Sequence, residues 1–231
     1  MTTRRRAHSL KSVAAESDRW ADAVRHLHRV DPHLRTLIRR IGPCRLAPRP
    51  DRFGTLVNSI IGQQISAKAA ASISRRLRDL TGTPHRPDQL LALGEQPLRE
   101  VGLSASKARY VLNLAEAVST GSVLLDSFND SWDDAAIVAL LSSIKGIGVW
   151  TAEMFLIFAL NRPDVLPVHD LGIRTALRQC RGLAGLPRPS ECFALAEAWR
   201  PYRTIASWYI WQNADTPAPK PTSDRTAPGR G

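Results

Sequence analysis

DDAAIVALLSSIKGIGVWTAEMFLIFALNRPDVLPVHDLGIRTAL, residues 133–177, is the stretch that decides the fold. It contains two segments, 133–143 and 150–160, whose apolar residues recur at the three- and four-residue steps of an α-helix. The loop between them reads Ile144-Lys145-Gly146-Ile147-Gly148. Its two glycines allow a sharp turn with positive φ and leave much of the loop without side chains. The pattern predicts two helices joined by a tight hairpin.

This hairpin is predicted to bind a phosphate group. The N–H groups of Gly146 and Gly148 are not shielded by side chains, and the helix that follows directs its positive dipole end, near Thr151, to the same place. Lys145 adds a positive charge. A helix-hairpin-helix that binds a nucleic-acid backbone is the interpretation that these features favour.

Asp170 is the candidate catalytic residue. A turn at 161–164 is followed by Val165-Leu166-Pro167-Val168, which leads to His169-Asp170 at the start of a further helix beginning at Leu171. An aspartate in this place caps a helix, and taken alone that structural role is as well supported as a catalytic one. Capping and catalysis are compatible, because a cap uses one carboxylate oxygen and leaves the other free.

The rest of the chain has helical periodicity and no convincing alternating strand, so the fold is predicted to be all-α. Further helices are predicted over 18–28, 33–40, 53–61, from a Ser66 cap to about residue 80, 87–93, 97–101, 104–118, 171–179 and 190–211. Residues 1–12 read as a flexible basic arm, and residues 213–231 read as a disordered tail.

Charge and composition limit the class of function. The net charge is +11, and residues 1–50 hold twelve Lys and Arg against four acids, which favours a polyanionic partner without proving one. The chain has no apolar run long enough to span a membrane and no secretory signal. Three scattered cysteines predict neither a zinc site nor an iron–sulfur cluster, and they suit a cytoplasmic location.

Five motifs in order over about residues 50–212 resemble the helix-hairpin-helix DNA glycosylase superfamily, most closely its 3-methyladenine DNA glycosylase II branch. They are Ile60 to Ser66, Gly102-Leu103-Ser104 with Lys107-Ala108, the hairpin Ile144 to Thr151, the Pro-Val-x-Asp segment ending at Asp170, and Trp199 to Trp211. The resemblance implies two helical lobes with a DNA-binding cleft between them. The domain would span 13–212, with a middle lobe of about 55–150 and a second lobe from the N- and C-terminal helices.

The resemblance also implies roles for single residues. Asp170 would be the catalytic carboxylate, and Gln64, or failing that Gln63, would be the wedge that fills the space left by an extruded base. Trp150, Trp211, Met154 and Trp208 would line the base pocket, and the carbonyls of Ile144 and Ile147 would hold a structural Na⁺ or K⁺. No cofactor would be required.

The predicted function is a monofunctional glycosylase that flips an alkylated base, of the 3-methyladenine or 7-methylguanine type, out of duplex DNA. The branch that also nicks the strand has a lysine where this chain has Trp150. The predicted protein is a monomer with no membrane partner. Two alternatives stay open: a non-catalytic helix-hairpin-helix module that binds DNA, and a glycosylase for another lesion such as uracil.

Overall fold

The computed structural model describes residues 19–215, and all regular secondary structure in that range is helical, as predicted. The α-helices are α1 (Ala21–Val30), α2 (Pro32–Ile41), α3 (Arg52–Gly62), α4 (Ala67–Thr81), α5 (Pro87–Leu93), α6 (Glu95–Glu100), α7 (Ala105–Ser119), α8 (Asp134–Ser142), α9 (Val149–Phe158), α10 (Leu171–Cys180), α11 (Pro189–Leu195) and α12 (Arg203–Asp215). Short 3₁₀ turns lie at Leu125–Ser127 and Glu197–Trp199. The predicted arm, residues 1–12, lies outside the described residues, as does the predicted tail beyond Asp215.

Side-chain caps set the starts of half of the helices. In each case an Asp or Ser oxygen accepts a hydrogen bond from a backbone N–H of the first turn that has no partner inside the helix. The capping residues are Asp31 for α2, Asp51 for α3, Ser66 for α4, Ser104 for α7, Asp133 for α8 and Asp170 for α10. Of these six caps, the sequence analysis had named Ser66 and Asp170.

The helix predicted over 190–211 is wrong as a continuous element. The structure divides this segment into α11, a 3₁₀ turn and α12. Pro201 explains the interruption, because proline has no N–H to donate and disfavours helical geometry at Arg200, which has ψ 143°. At its other end α12 runs to Asp215, so residues 213–215 of the predicted tail are helical.

The helices pack in two groups. α3 to α9 contact one another in the middle of the chain, over residues 52–158, where the sequence predicted a lobe of about 55–150. The second group joins α1 and α2 to α10, α11 and α12 from the other end of the chain. Fully buried Phe128 and Phe155 belong to the first group, and Trp199 and Tyr209 belong to the second. No helix in residues 19–215 is long and apolar enough to cross a membrane.

Helix α9 is the element that positions the site. Seven of its ten residues are buried, because apolar side chains surround it and it packs between α3 and α8. Its sequence carries Trp150, Met154 and Phe158 at four-residue intervals. That spacing places these three side chains on one face of the helix.

Candidate active site

A cleft of about 990 Å³ runs between the two helix groups. The segment between α3 and α4, the hairpin before α9 and the start of α10 form its walls. Its lining comprises Gly62, Gln63, Gln64, Ile65, Ser66, Tyr110, Gly146, Ile147, Gly148, Trp150, Thr151, His169, Asp170, Leu171 and Gly172. Eight of the thirteen candidate site residues border this cleft, namely Gln63, Gln64, Gly146, Ile147, Gly148, Trp150, Thr151 and Asp170.

Asp170 stands half-buried at this cleft and is held by three donors. Its Oδ1 accepts hydrogen bonds from the Ile173 N–H at 3.0 Å, which is the helix cap, and from the Trp211 indole Nε1 at 3.2 Å. Its Oδ2 accepts one from the Trp150 indole Nε1 at 3.1 Å. The capping role and the exposure of a carboxylate to the cleft coexist, because Oδ2 keeps acceptor capacity after the single bond from Trp150.

A second cavity, of about 250 Å³, adjoins Asp170 and has an aromatic lining. It is bordered by Arg49, Asn58, Ser59, Gly62, Trp150, Met154, Phe158, Asp170 and Trp211. Three of the four predicted pocket residues, Trp150, Met154 and Trp211, lie in it. Both tryptophans therefore border the cavity and also donate their indole N–H groups to Asp170. The sequence did not predict this double role.

Phe158 and Arg49 are two of the lining residues that the sequence analysis did not single out. Phe158 stacks on Trp211 with ring centroids 5.8 Å apart, and Arg49 places its guanidinium 4.6 Å from the Phe158 ring centre. The four-residue step from Trp150 through Met154 would have led to Phe158. Arg49 gave no such signal, because it precedes α3 and reaches the pocket through a backbone hydrogen bond from its N–H to the Phe158 carbonyl.

Trp208 does not line the pocket, contrary to prediction. It is 9% exposed and packs edge-on against Tyr209, with ring centroids 4.9 Å apart. The two residues are offset by only about 60° around α12, yet Trp211 borders the cavity whereas Trp208 packs on Tyr209. Trp208 is a core residue.

The hairpin turns as the glycine pattern predicts. Gly146 has φ 105°, and a Cβ built on it would lie 2.1 Å from Cγ of Tyr110. A glycine is therefore required both by the backbone angle and by the ring that packs beneath it. Lys145 is exposed at the tip, and its carbonyl accepts a hydrogen bond from the Asn113 side chain at 3.0 Å.

The N-terminus of α9 is open on the cleft side. Gly148 occupies the cap position without any side-chain hydrogen bond, and it is exposed. The first N–H groups of α9 are thus free of side-chain caps, which is the arrangement that binds anions. Thr151 departs from its predicted phosphate-binding role, because it is 1% exposed and its hydroxyl accepts a hydrogen bond from Gln63 at 2.9 Å.

The two glutamines between α3 and α4 are placed differently. Gln63 donates through Nε2 to the Gly146 carbonyl at 3.0 Å and to the Thr151 hydroxyl, so its side chain is engaged with the hairpin. Gln64 is exposed and has φ 55°. Gln64 is the more exposed of the two, and its role as the wedge stays a prediction.

Glu153 is a carboxyl group near Asp170 that the sequence analysis did not single out. It is 9% exposed, and its Oε2 has no hydrogen-bond partner among the described residues. Burial raises the pKa of Glu153 to about 8, and the neighbouring charge of Asp170 adds to the rise. The raised pKa favours the protonated, neutral form of Glu153 at neutral pH.

Within residues 19–215, no group of His, Cys, Asp and Glu side chains is arranged to hold a metal ion. The predicted cation would instead be bound by the backbone carbonyls of Ile144 and Ile147. Both residues are buried, and the Ile147 N–H donates to the Ile144 carbonyl at 3.0 Å. A carbonyl oxygen has two lone pairs, so that bond leaves one available at Ile144.

Comparison with known proteins gives consistent matches. Residues 57–201 match the family model described as HhH-GPD superfamily base excision DNA repair protein. The chain is 31% identical over 206 residues to the alkylbase DNA glycosidase-like protein mag2 of Schizosaccharomyces pombe, covering 87% of this chain and 96% of that one. It is 31% identical over 194 residues to DNA-3-methyladenine glycosylase 1 of the same yeast, covering 82% of this chain and 85% of the relative.

A solved structure agrees with these matches. The Schizosaccharomyces pombe 3-methyladenine DNA glycosylase Mag1, in complex with abasic DNA, superposes with a TM-score of 0.77 at 29% identity. The match covers 85% of this chain and 98% of that one.

Proposed function

We propose that this chain, which belongs to the HhH-GPD superfamily of base excision DNA repair proteins, is a DNA glycosylase that hydrolyses the N-glycosidic bond of alkylated bases in duplex DNA. The observation that carries the proposal is the placement of Asp170. Its carboxylate is fixed by three donors where the open cleft meets an aromatic cavity of about 250 Å³.

The chemistry requires a fixed negative charge. As the bond between base and sugar breaks, positive charge builds on the sugar, as in other glycoside hydrolyses. Asp170 stabilises that charge and accepts a proton from the attacking water. The indole N–H groups of Trp150 and Trp211 prevent the carboxylate from rotating, so it does not have to reorganise during the reaction.

The cavity suits an alkylated purine. Alkylation at a ring nitrogen makes the base cationic, and each aromatic face that contacts it contributes about 0.5–2 kcal/mol. Trp150 and Trp211 supply such faces, whereas Arg49 already covers one face of Phe158. A cationic base is also a good leaving group, so the pocket needs no strong general acid.

The site supports hydrolysis without strand cleavage. Trp150 stands at the position of the lyase-type lysine, and Lys145 is exposed within the hairpin loop, away from that position. The product is then an abasic site. A monovalent cation at Ile144 and Ile147 would steady the hairpin without taking part in the reaction. We further propose that the protein acts as a monomer in the cytoplasm.

The test is release of free 3-methyladenine and 7-methylguanine from methylated duplex DNA, with wild type compared to Asp170→Asn. The asparagine oxygen can still accept the Ile173 N–H, so the fold is expected to persist, whereas its N–H₂ group would face the Trp150 indole N–H and should lower the melting temperature slightly. The single-turnover release rate should fall by about a hundredfold or more, because a neutral amide does not stabilise the sugar cation.

The other outcomes are informative. Equal release by both proteins would remove Asp170 from the mechanism. No release by either protein, with DNA still bound, would indicate a glycosylase for another lesion such as uracil or a non-catalytic helix-hairpin-helix module. Duplexes containing uracil separate those two.

A further inference from the structure

The segment between α3 and α4, residues 62–66, has a backbone that needs external support. We call it the wedge segment. Gln64 at its centre has φ 55°, a left-handed conformation that non-glycine residues rarely adopt. Such a residue persists where its surroundings impose it. Gln64 itself is exposed and makes no side-chain hydrogen bond within the described chain, so other residues must impose this backbone conformation.

Lys107 of α7 supports the wedge segment from one side. Its Nζ donates to the Ile61 carbonyl at 2.8 Å and to the Gln63 carbonyl at 2.7 Å. These two carbonyls lie at the C-terminal end of α3 and accept no hydrogen bond from an N–H within that helix. One ammonium thus fixes the Ile61–Gly62 peptide group and the Gln63–Gln64 peptide group, the second of which carries the N–H of Gln64. A positive charge at a helix C-terminus is also favourable.

Gln63 connects the wedge segment to the hairpin. Its Nε2 donates to the Gly146 carbonyl at 3.0 Å and to the Thr151 hydroxyl at 2.9 Å. The segment is therefore tied to α7 at its backbone and to the hairpin through a side chain. Movement of the hairpin on a DNA backbone would be transmitted to Gln64 through these bonds.

We propose that Lys107 and Gln63 are positioning residues for base extrusion, which hold Gln64 at a fixed distance from the phosphate-binding hairpin. Lys107 imposes the backbone conformation, and Gln63 sets the spacing. When the hairpin takes a phosphate, Gln64 is then already placed to enter the stack. The inference rests on the proposed function, because a wedge has a task only in a protein that turns a base out of the duplex.

The experiment measures extrusion separately from chemistry. All variants are made in the Asp170→Asn background and bound at saturation to duplexes with 2-aminopurine beside the lesion, where fluorescence rises on unstacking. Lys107→Met is compared with Arg109→Met. The control removes a charge of the same sign from the exposed side of the same helix. There Arg109 makes a 3.8 Å ion pair with Glu95.

Lys107→Met should lower the equilibrium constant for extrusion about tenfold, the factor expected for the loss of charge-assisted hydrogen bonds. Arg109→Met should leave it unchanged, and Lys107→Arg should restore most of it, because a guanidinium can donate to both carbonyls. Affinity for undamaged duplex should be the same for the two methionine variants. Equal fluorescence in Lys107→Met and Arg109→Met would overturn the assignment of Lys107.

Gln63→Leu keeps the inference testable if Lys107→Met fails to fold. It removes both hydrogen bonds to the hairpin and leaves the backbone support of Gln64 in place. Gln63→Leu should reduce extrusion in the lesion duplex without reducing affinity for a duplex that already contains an abasic site. An equal loss of affinity for the lesion duplex and the abasic duplex would overturn the spacing role of Gln63. Because extrusion needs no bond cleavage, the result stands apart from whether the wild type releases alkylated bases.

Discussion

Gly146→Ala should destabilise the protein more than any other addition of one methyl group to the hairpin. The new Cβ would lie 2.1 Å from Cγ of Tyr110 and 2.3 Å from its Cδ1, and the backbone would keep φ 105°. The conformational cost for a residue with a Cβ is about 1–2 kcal/mol. Overpacking against the partly buried Tyr110 ring, which packs on the core, costs about 1–3 kcal/mol more.

The two costs add to about 2–5 kcal/mol, and 1 kcal/mol shifts the melting temperature of a domain of this size by about 2–4 °C. With about 3 kcal/mol as the central value, thermal unfolding followed by circular dichroism should show a decrease of about 6–12 °C. Affinity for duplex DNA should fall as well, because the turn can relieve the clash only by moving away from Tyr110.

Gly148→Ala is the matched control. A Cβ at Gly148 meets nothing within 4 Å, and its φ of −93° is ordinary for any residue. Its melting temperature should stay within about 1 °C of wild type, in the range of neutral surface substitutions. DNA affinity should still fall, because the methyl group stands where a phosphate would approach. A Gly146→Ala protein as stable as Gly148→Ala would refute the reasoning from the Tyr110 contact.

Three further outcomes are expected. Asp31→Ala should destabilise the protein by about 3–5 kcal/mol in urea unfolding, because the 1%-exposed Asp31 carboxylate accepts hydrogen bonds from Trp199 at 2.8 Å and Arg181 at 2.9 Å; a loss under 1 kcal/mol would contradict this. Because the pKa of Glu153 is raised to about 8 in the folded state, the wild type should lose stability as the pH rises from about 4.5 to 8, and Glu153→Gln should remove that part of the slope; parallel pH profiles would argue against a buried neutral carboxyl. Borohydride should trap no covalent complex with abasic DNA, since Trp150 has no amine; a trapped band would indicate a lyase.

Local chemistry explains why much of this protein was readable from its residues. Helix starts at Ser66 and Asp170 were predictable because an oxygen side chain caps the N–H groups three residues ahead, a contact that needs no distant partner. The hairpin was predictable for the same reason, since glycine's freedom of φ is a local property. Met154 was expected in the pocket from the family resemblance, and its four-residue spacing from Trp150 agrees with its place there.

The tertiary structure decided whatever depends on residues far apart in the chain. Trp150 and Trp211 lie on different helices, and only packing shows that both donate to Asp170, 20 and 41 residues away in sequence. Arg49 joins the pocket through Phe158, and Lys107 reaches two carbonyls more than forty residues earlier. Periodicity could not separate Trp208 from Trp211, or Gln63 from Gln64, because it reports which face of an element is apolar and not what stands opposite. The sequence by itself indicated most of the helices, the caps at Ser66 and Asp170 and, through the family resemblance, the candidate carboxylate. Packing alone decided what holds that carboxylate and which glutamine is left exposed at the cleft.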